Sequence, residues 1–235
     1  MSSSPKVTII LATYNEIENI TDMIDSVFEA LPTDAEIVLV DDDSPDGTWQ
    51  LVEDRNDKRI RVIRRIGERG LASAYERGIQ EARGEIVGWL DCDLGMPASL
   101  LPKMIDYLDT VDVVVGSRYV AGGRDERDFI RVFASHLVNG FARMVLGPHV
   151  FDYDSGFIVL KKSVLDTVSF RAKGHGEYFI ELLHRARKAG FLIFEVGYVF
   201  TDRTRGESKS APGLIPFLRT GLDYVKRIIE VKLSE

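Results

Sequence analysis

Short, wholly apolar runs alternate along the chain with longer stretches that are apolar on one side only. Val7–Leu11 is a run of β-branched and aliphatic residues whose length predicts a buried strand. Ile17, Ile20, Ile24, Val27, Phe28 and Leu31 then recur at the spacing of one helix face, up to Pro32. Asn15, three residues ahead of Glu18, resembles a capping box and predicts that this helix starts there. Ile37–Val40, Arg61–Arg64, Glu85–Leu90 and Val111–Val115 read as further strands. Leu71, Ala74, Tyr75, Gly78, Ile79 and Ala82 mark a helix that Gly84 ends. Strands and helices alternating through short links predict an α/β fold, a mostly parallel central sheet flanked by helices.

The pattern changes after about residue 120. Phe129–Val145 is amphipathic, with Arg127, Arg131 and Arg143 set among apolar residues. Phe157–Leu160 and Leu192–Phe200 read as strands and Ile180–Ala189 as a helix. Leu218, Leu222, Val225 and Ile229 predict the buried stripe of a last helix. With no internal repeat or low-complexity segment, residues 1–235 are expected to form one domain. Its parts are residues 5–120, residues 121–212 and a helix over 213–235.

Such sheets bind ligands beyond the carboxyl ends of their strands, and polar residues fall there repeatedly. Thr13, Tyr14, Asn15 and Glu16 follow the first strand, Asp41–Asp43 the second, Asp91-Cys92-Asp93 the fourth and Ser117-Arg118 the fifth. Asp91 and Asp93 offer hard oxygen ligands that suit Mg2+ or Mn2+ and the diphosphate such a cation neutralises. Cys92 between them is a small filler, its thiol kept protonated by two negative neighbours. A carboxylate of the Asp41–Asp43 run can accept hydrogen bonds from a base or ribose. Ser44-Pro45-Asp46-Gly47-Thr48 has turn chemistry, with Thr48 starting a helix. Tyr14 either stacks on a base or packs. No Gly-x-Gly-x-x-Gly follows the first strand and no Gly-Lys-Ser/Thr loop occurs, so dinucleotide and phosphate-loop chemistry are unsupported.

Composition narrows this further. A 235-residue chain, 45% hydrophobic and 29% charged, is neither disordered nor fibrous. Its single cysteine closes no internal disulfide. No apolar run approaches the ~20 residues of a bilayer span, and Met1–Lys6 lacks a signal-peptide core, so the expected location is the cytoplasm. A net charge of −7 argues against nucleic acid as a partner. Residues 1–60 carry 14 acidic and 4 basic side chains and the remainder 23 and 26, which would suit a cation at one end and an anion at the other.

Thr13-Tyr14-Asn15-Glu16, the Asp42 run with Ser44 and Asp46-Gly47-Thr48, Asp91-x-Asp93 and Gly116-Ser117-Arg118-Tyr119 resemble family 2 glycosyltransferases. Asp152-x-x-Ser155-Gly156-Phe157 and Asp202-Arg203-x-x-Gly206-x-Ser208-Lys209 are similar, more narrowly, to dolichol-phosphate mannose synthases and related polyprenyl-phosphate glycosyltransferases. The resemblance covers residues 5–212. It implies a GT-A-type nucleotide-sugar domain and inverting, metal-dependent transfer of a hexose, mannose from GDP-mannose, to a polyprenyl or dolichyl phosphate. Thr13, Tyr14, Glu16 and Asp42 would hold the nucleoside, and Asp91 and Asp93 the Mg2+ or Mn2+ and the diphosphate. Arg118, Arg131 and Ser135 would lie on the acceptor-phosphate side. Arg203 and Lys209 would reach phosphates from a loop closing over the donor. Asp91, Asp93, Arg118 and Arg131 are thus the expected catalytic set.

A phosphate monoester is largely a dianion at neutral pH, its second pKa being about 6, so such an acceptor needs alignment rather than a strong base. Guanidinium groups hold phosphate oxygens bidentately. Glu177 and Glu181, with His175, stand where other family 2 enzymes place catalytic acids. The chain departs from the pattern at Gly95, where these synthases commonly carry a metal-side Gln, at Ala12 for Pro, and at Met96-Pro97 for a Pro pair. Many relatives carry C-terminal membrane helices. Without them a lipid acceptor implies docking on the cytoplasmic membrane face, with Phe129–Val145 either the surface for it or a helix packed on the sheet, or a separate membrane subunit. The alternatives are UDP-glucose or a non-lipid acceptor, and a noncatalytic nucleotide-sugar-binding subunit.

Overall fold

Parallel strands covered by helices on both faces have no solvent side, and β1 (Val7–Thr13) and β2 (Ala35–Asp41) are buried along almost their whole length. The computed structural model describes residues 5–31, 33–174, 176–202, 205 and 214–234. In it β3 (Ile60–Arg64) pairs with β2, and β4 (Ile86–Trp89) with the other side of β1, all parallel. The crossovers carry α1 (Ile20–Ala30), α2 (Thr48–Glu53) and α3 (Leu71–Glu81). α4 (Leu101–Tyr107) leads to β5 (Val113–Ser117). Gly78 lets α3 lie close on β1, since a Cβ there would collide with the Ile10 side chain.

The second part is woven into this sheet. β6 (Arg124–Asp125) and α5 (Phe129–Leu146) follow β5, and β7 (Ile158–Lys161) then inserts antiparallel between β4 and β5. α6 (Lys162–Thr167), α7 (Glu177–Lys188), β8 (Ile193–Gly197), β9 (Val199–Phe200) and α8 (Leu214–Leu233) complete the chain. β8 runs parallel to β5, so the seven strands stand in the order β3-β2-β1-β4-β7-β5-β8, and β6 pairs with β9 as a separate ribbon. Because β7 runs against its neighbours, its amino end, residues 152–157, arrives at the rim where the parallel strands end.

Four expectations need correction. α1 starts at Ile20 behind Asn19, not at Asn15, which takes a left-handed φ of 55°. Side chains of the next loop hold that entry instead: Ser44 Oγ, Thr48 Oγ1 and Asp46 Oδ2 accept from the N–H groups of Asn15, Glu16 and Ile17 at 2.9–3.1 Å. Leu192–Phe200 breaks at Tyr198, so that β9 can leave the main sheet for β6. On α8 the side chains of 214–219, Leu218 among them, lie outside the described ones; of the rest the buried positions are Arg227, Ile228 and Val231, while Leu222 and Ile229 are exposed; Arg227 is drawn inward by its ion pair with Glu181 of α7. Lastly, α5 is one helix, among the described residues, long and apolar enough to cross a membrane by length and composition. It nevertheless buries Ser135, Asn139, Ala142 and Leu146 against the rest of the chain.

Candidate active site

The ends of β1 and β2 are tied together before any ligand is considered. Thr13 Oγ1 donates to Asp41 Oδ2 at 2.7 Å, and Ser44 Oγ donates to the same oxygen at 2.6 Å. Thr13 therefore braces the turn rather than presenting its hydroxyl outward. Asp42 is buried, with Oδ1 accepting from Arg65 and Oδ2 from the Gly70 N–H at 2.8 Å. That clasp fixes the 65–70 loop, whose Arg69 lays its guanidinium 4.0 Å above the centre of the Tyr14 ring and donates to the Tyr14 hydroxyl. Tyr14 is thus already a stacking platform. Glu16 accepts from Asn19 Nδ2 at 3.2 Å.

Beyond β4, Asp91 and Asp93 line a cavity of about 810 Å3. Asp93 Oδ1 accepts from the Gly95 N–H at 3.0 Å, which sets the turn, and Tyr75 Oη donates to Asp91 Oδ1 at 3.4 Å from a buried aromatic cluster with Trp89 and Tyr178. Cys92 is buried between them, as a filler should be. A Cβ built on Gly95 would meet the Thr201 carbonyl oxygen at 2.7 Å, the edge of the Phe200 ring at 2.9 Å and Asp93 Oδ1 at 3.1 Å, so two oxygens and an aromatic edge close around this turn. That donor set suits a hard divalent cation, although among the described residues no third His, Cys, Asp or Glu joins the pair.

The other side of the cavity is built on Arg118, only 5% exposed. Its Nε and Nη2 reach Asp152 at 2.9 and 2.6 Å, Nη2 also pairs with Asp154, and Nη1 stands 3.6 Å from Asp125. Ser135 Oγ donates to Asp154 Oδ2 at 2.9 Å and Asn139 Nδ2 to Asp154 Oδ1 at 2.7 Å. Burial pushes the Asp152 carboxyl up to about 7, against the pull of Arg118. Burial would raise Asp154 too, but the Arg118 charge and hydrogen bonds from Asp152 and Asn139 bring it down to about 2. Arg118 and Ser135 are therefore committed to the protein's own carboxylates.

Arg131 is placed differently. It stands at the cavity mouth, its side chain 35% exposed, 3.2 Å from Asp128 and 3.3 Å from Asp202, both themselves exposed. Exposed pairs of this kind are worth ~0–1 kcal/mol, so the guanidinium is exchangeable. Asp128 also caps α5, accepting from the Ile130 and Arg131 N–H groups at 3.1 Å. Leu137, Val138 and Phe141 of α5, with Leu222 and Val225 of α8, give the cavity an apolar wall.

Asp91, Asp93, Arg118, Arg131 and Ser135 thus share one cavity, while Thr13, Tyr14, Glu16 and Asp42 occupy the neighbouring loops. Arg203, Lys209 and His175 lie outside the described residues. Glu181 does not face the cavity: it is buried and paired with Arg227 and Arg171. Glu177 folds back to accept from the Gly176 N–H at 2.9 Å. Arg127 and Asp154 also line the cavity, and neither was among the expected site residues. Asp154 stands inside the Asp152–Phe157 motif, which was the available signal.

Comparison with known proteins gives the family and the fold. The model described as Glycosyl transferase family 2 matches residues 8–169. A dolichol-phosphate mannosyltransferase of Pyrococcus furiosus is 38% identical over 87% of this chain, which spans 59% of that relative's length. A polyprenol monophosphomannose synthase of Mycolicibacterium smegmatis is 32% identical over 87% of this chain and 80% of its own. An undecaprenyl-phosphate mannosyltransferase of Micrococcus luteus is 30% identical over 89% of each. Among solved structures, glucosyl-3-phosphoglycerate synthase from Mycobacterium tuberculosis, in complex with Mn2+, UDP and phosphoglyceric acid, superposes with a TM-score of 0.76 at 16% identity. The match covers 97% of this chain and 78% of that one, and it shows the GT-A fold. The chain belongs to glycosyl transferase family 2 and resembles the polyprenyl-phosphate mannosyltransferases.

Proposed function

We infer that the enzyme transfers a hexose, mannose from GDP-mannose, to a polyprenyl or dolichyl phosphate with inversion and with a divalent cation. The observation that carries this reading is the single cavity in which Asp91 and Asp93 stand at one side, Arg131 at the mouth, and an apolar wall of α5 and α8 leads away. Carboxylates, guanidinium and apolar wall match, in that order, a cation-bound diphosphate, a phosphate monoester and an isoprenoid chain.

Tyr14 and Asp42 form the nucleoside end. Asp91 and Asp93 would hold Mg2+ or Mn2+, which when bound supplies charge neutralisation to the departing diphosphate. Arg131 exchanges its surface carboxylates for the acceptor phosphate and aims one oxygen at the anomeric carbon. That oxygen forms the new bond as the sugar–diphosphate bond breaks on the opposite face, which inverts the centre. Arg118 acts at one remove, fixing Asp154 and with it Ser135 and Asn139 of α5. Arg203 and Lys209 complete the phosphate contacts in this reading.

The outer face of α5 carries the membrane part of the proposal. Phe129, Ile130, Phe133, Leu137 and Met144 are exposed along it, Phe129 at 80%, and Arg131 stands at the cavity mouth on the same helix. Such a face suits an anionic lipid surface and would bring the cavity mouth to the acceptor. The test is incubation with Mn2+, dolichyl phosphate and radiolabelled GDP-mannose or UDP-glucose in parallel, counting label in the organic phase. Label from GDP-mannose alone is expected. Label from UDP-glucose alone would overturn the donor assignment, and label from neither would overturn the lipid acceptor.

A further inference from the structure

The reason for a glycine at position 95 lies on a distant segment. A Cβ built there would stand 2.7 Å from the carbonyl oxygen of Thr201, 2.9 Å from Phe200 Cε2 and 3.1 Å from Asp93 Oδ1. The nearest obstacle is main chain, so no rotamer change makes room. Residues 200–202, leaving β9, therefore cross directly over the Asp91–Asp93 turn, and Phe200 and Asp202 line the same cavity as the two carboxylates. The Thr201 carbonyl oxygen occupies the space in which a side chain at 95 would begin. Among the described residues no N–H group donates to it. The segment is also held farther along, where Arg205 pairs with Asp22 at 2.8 Å and its carbonyl accepts from Asn19 Nδ2 at 3.4 Å.

Hard divalent cations take main-chain carbonyl oxygens alongside carboxylates, and two carboxylates with a diphosphate leave coordination positions to fill. We propose that the Thr201 carbonyl oxygen is a third protein ligand of the divalent cation held by Asp91 and Asp93, taking the place of a side chain at position 95. This rests on the metal-dependent reading above. It makes residues 200–202, at the end of β9, part of the cation site.

The direct test uses the full-length enzyme with 13C at every threonine carbonyl, loaded with Mn2+ and GDP, and electron–nuclear double resonance at the manganese. A 13C coupling of a directly bound carbonyl is expected. It should vanish in Thr201→Ser, which keeps the carbonyl and removes the label. Bound Mn2+ without that coupling overturns the proposal and leaves the metal reading intact. Failure to bind Mn2+ in the presence of GDP overturns both. A second measurement follows free Mn2+ by its paramagnetic resonance during titration of Gly95→Gln with GDP present. Although it adds a side-chain oxygen, this substitution displaces Thr201 and should weaken Mn2+ binding at least tenfold. Unchanged or tighter binding contradicts the proposal.

Discussion

Arg118 and Arg131 carry the same charge into one cavity, and the structure assigns them opposite roles that one substitution separates. Replacing Arg118 by Ala removes the bidentate partner of Asp152 and the pairing of Asp154, and leaves two carboxylates buried together. Breaking a buried ion pair by deleting one partner costs about 3–5 kcal/mol. In a domain of this length that corresponds to a fall in melting temperature of about 6–20 °C. Thermal unfolding by circular dichroism, repeated in urea, measures it. The loss should be smaller at pH 6 than at pH 8, because a protonated Asp152 needs no partner. Activity falls too, as Asp154, to which Ser135 and Asn139 donate, loses the guanidinium that fixes it. A variant that melts within about 2 °C of the parent while turnover disappears would refute this reasoning and make Arg118 a direct phosphate ligand.

Arg131→Ala should do the reverse, with stability within about 1 kcal/mol and lipid-phosphate turnover down about 10²–10³-fold, checked by melting and by organic-phase label. The pH dependence has a definite sign. A folded-state pKa raised to about 7 at Asp152 stabilises below the unfolded value and is lost as pH rises through 7, so melting temperature should fall between pH 6 and 8, and Asp152→Asn should flatten that slope. Phe129→Ser with Phe133→Ser should weaken flotation on anionic vesicles by roughly two orders of magnitude, since a buried Phe is worth ~1.5–3 kcal/mol. Unaltered flotation would move the membrane contact elsewhere. Asp93→Ala should reduce turnover by orders of magnitude while leaving the melting temperature unchanged by added Mn2+ and GDP.

The strand runs were legible because buried parallel strands are apolar almost throughout, and the runs stop within two residues of the ends of β1, β2, β4 and β5. What escaped the sequence depends on contacts between distant residues. The Asn15–Glu18 spacing was right for a cap, but Ser44, Asp46 and Thr48 claimed the backbone first. Arg118 carries no mark in the sequence that its charge would be spent on Asp152 and Asp154, 34 and 36 positions away. Gly95 looked like a missing ligand, and only the course of residues 200–202 explains it. The α8 stripe was misplaced because an ion pair turned Arg227 inward, which no hydrophobic pattern encodes.

The place of β7 in the sheet has a consequence in time. β4 and β5 do not touch, and the strand that joins them begins 41 residues after Ser117. At roughly 5–20 residues per second of synthesis, the growing chain holds two facing, unpaired strand edges for some 2–8 seconds before Ile158 is made. Exposed edges of that kind recruit other chains. The interval between β5 and β7 is therefore when this enzyme most needs protection on the ribosome. A fragment ending near residue 120 would make that interval permanent, so residues 5–120 should not be separable as a soluble piece.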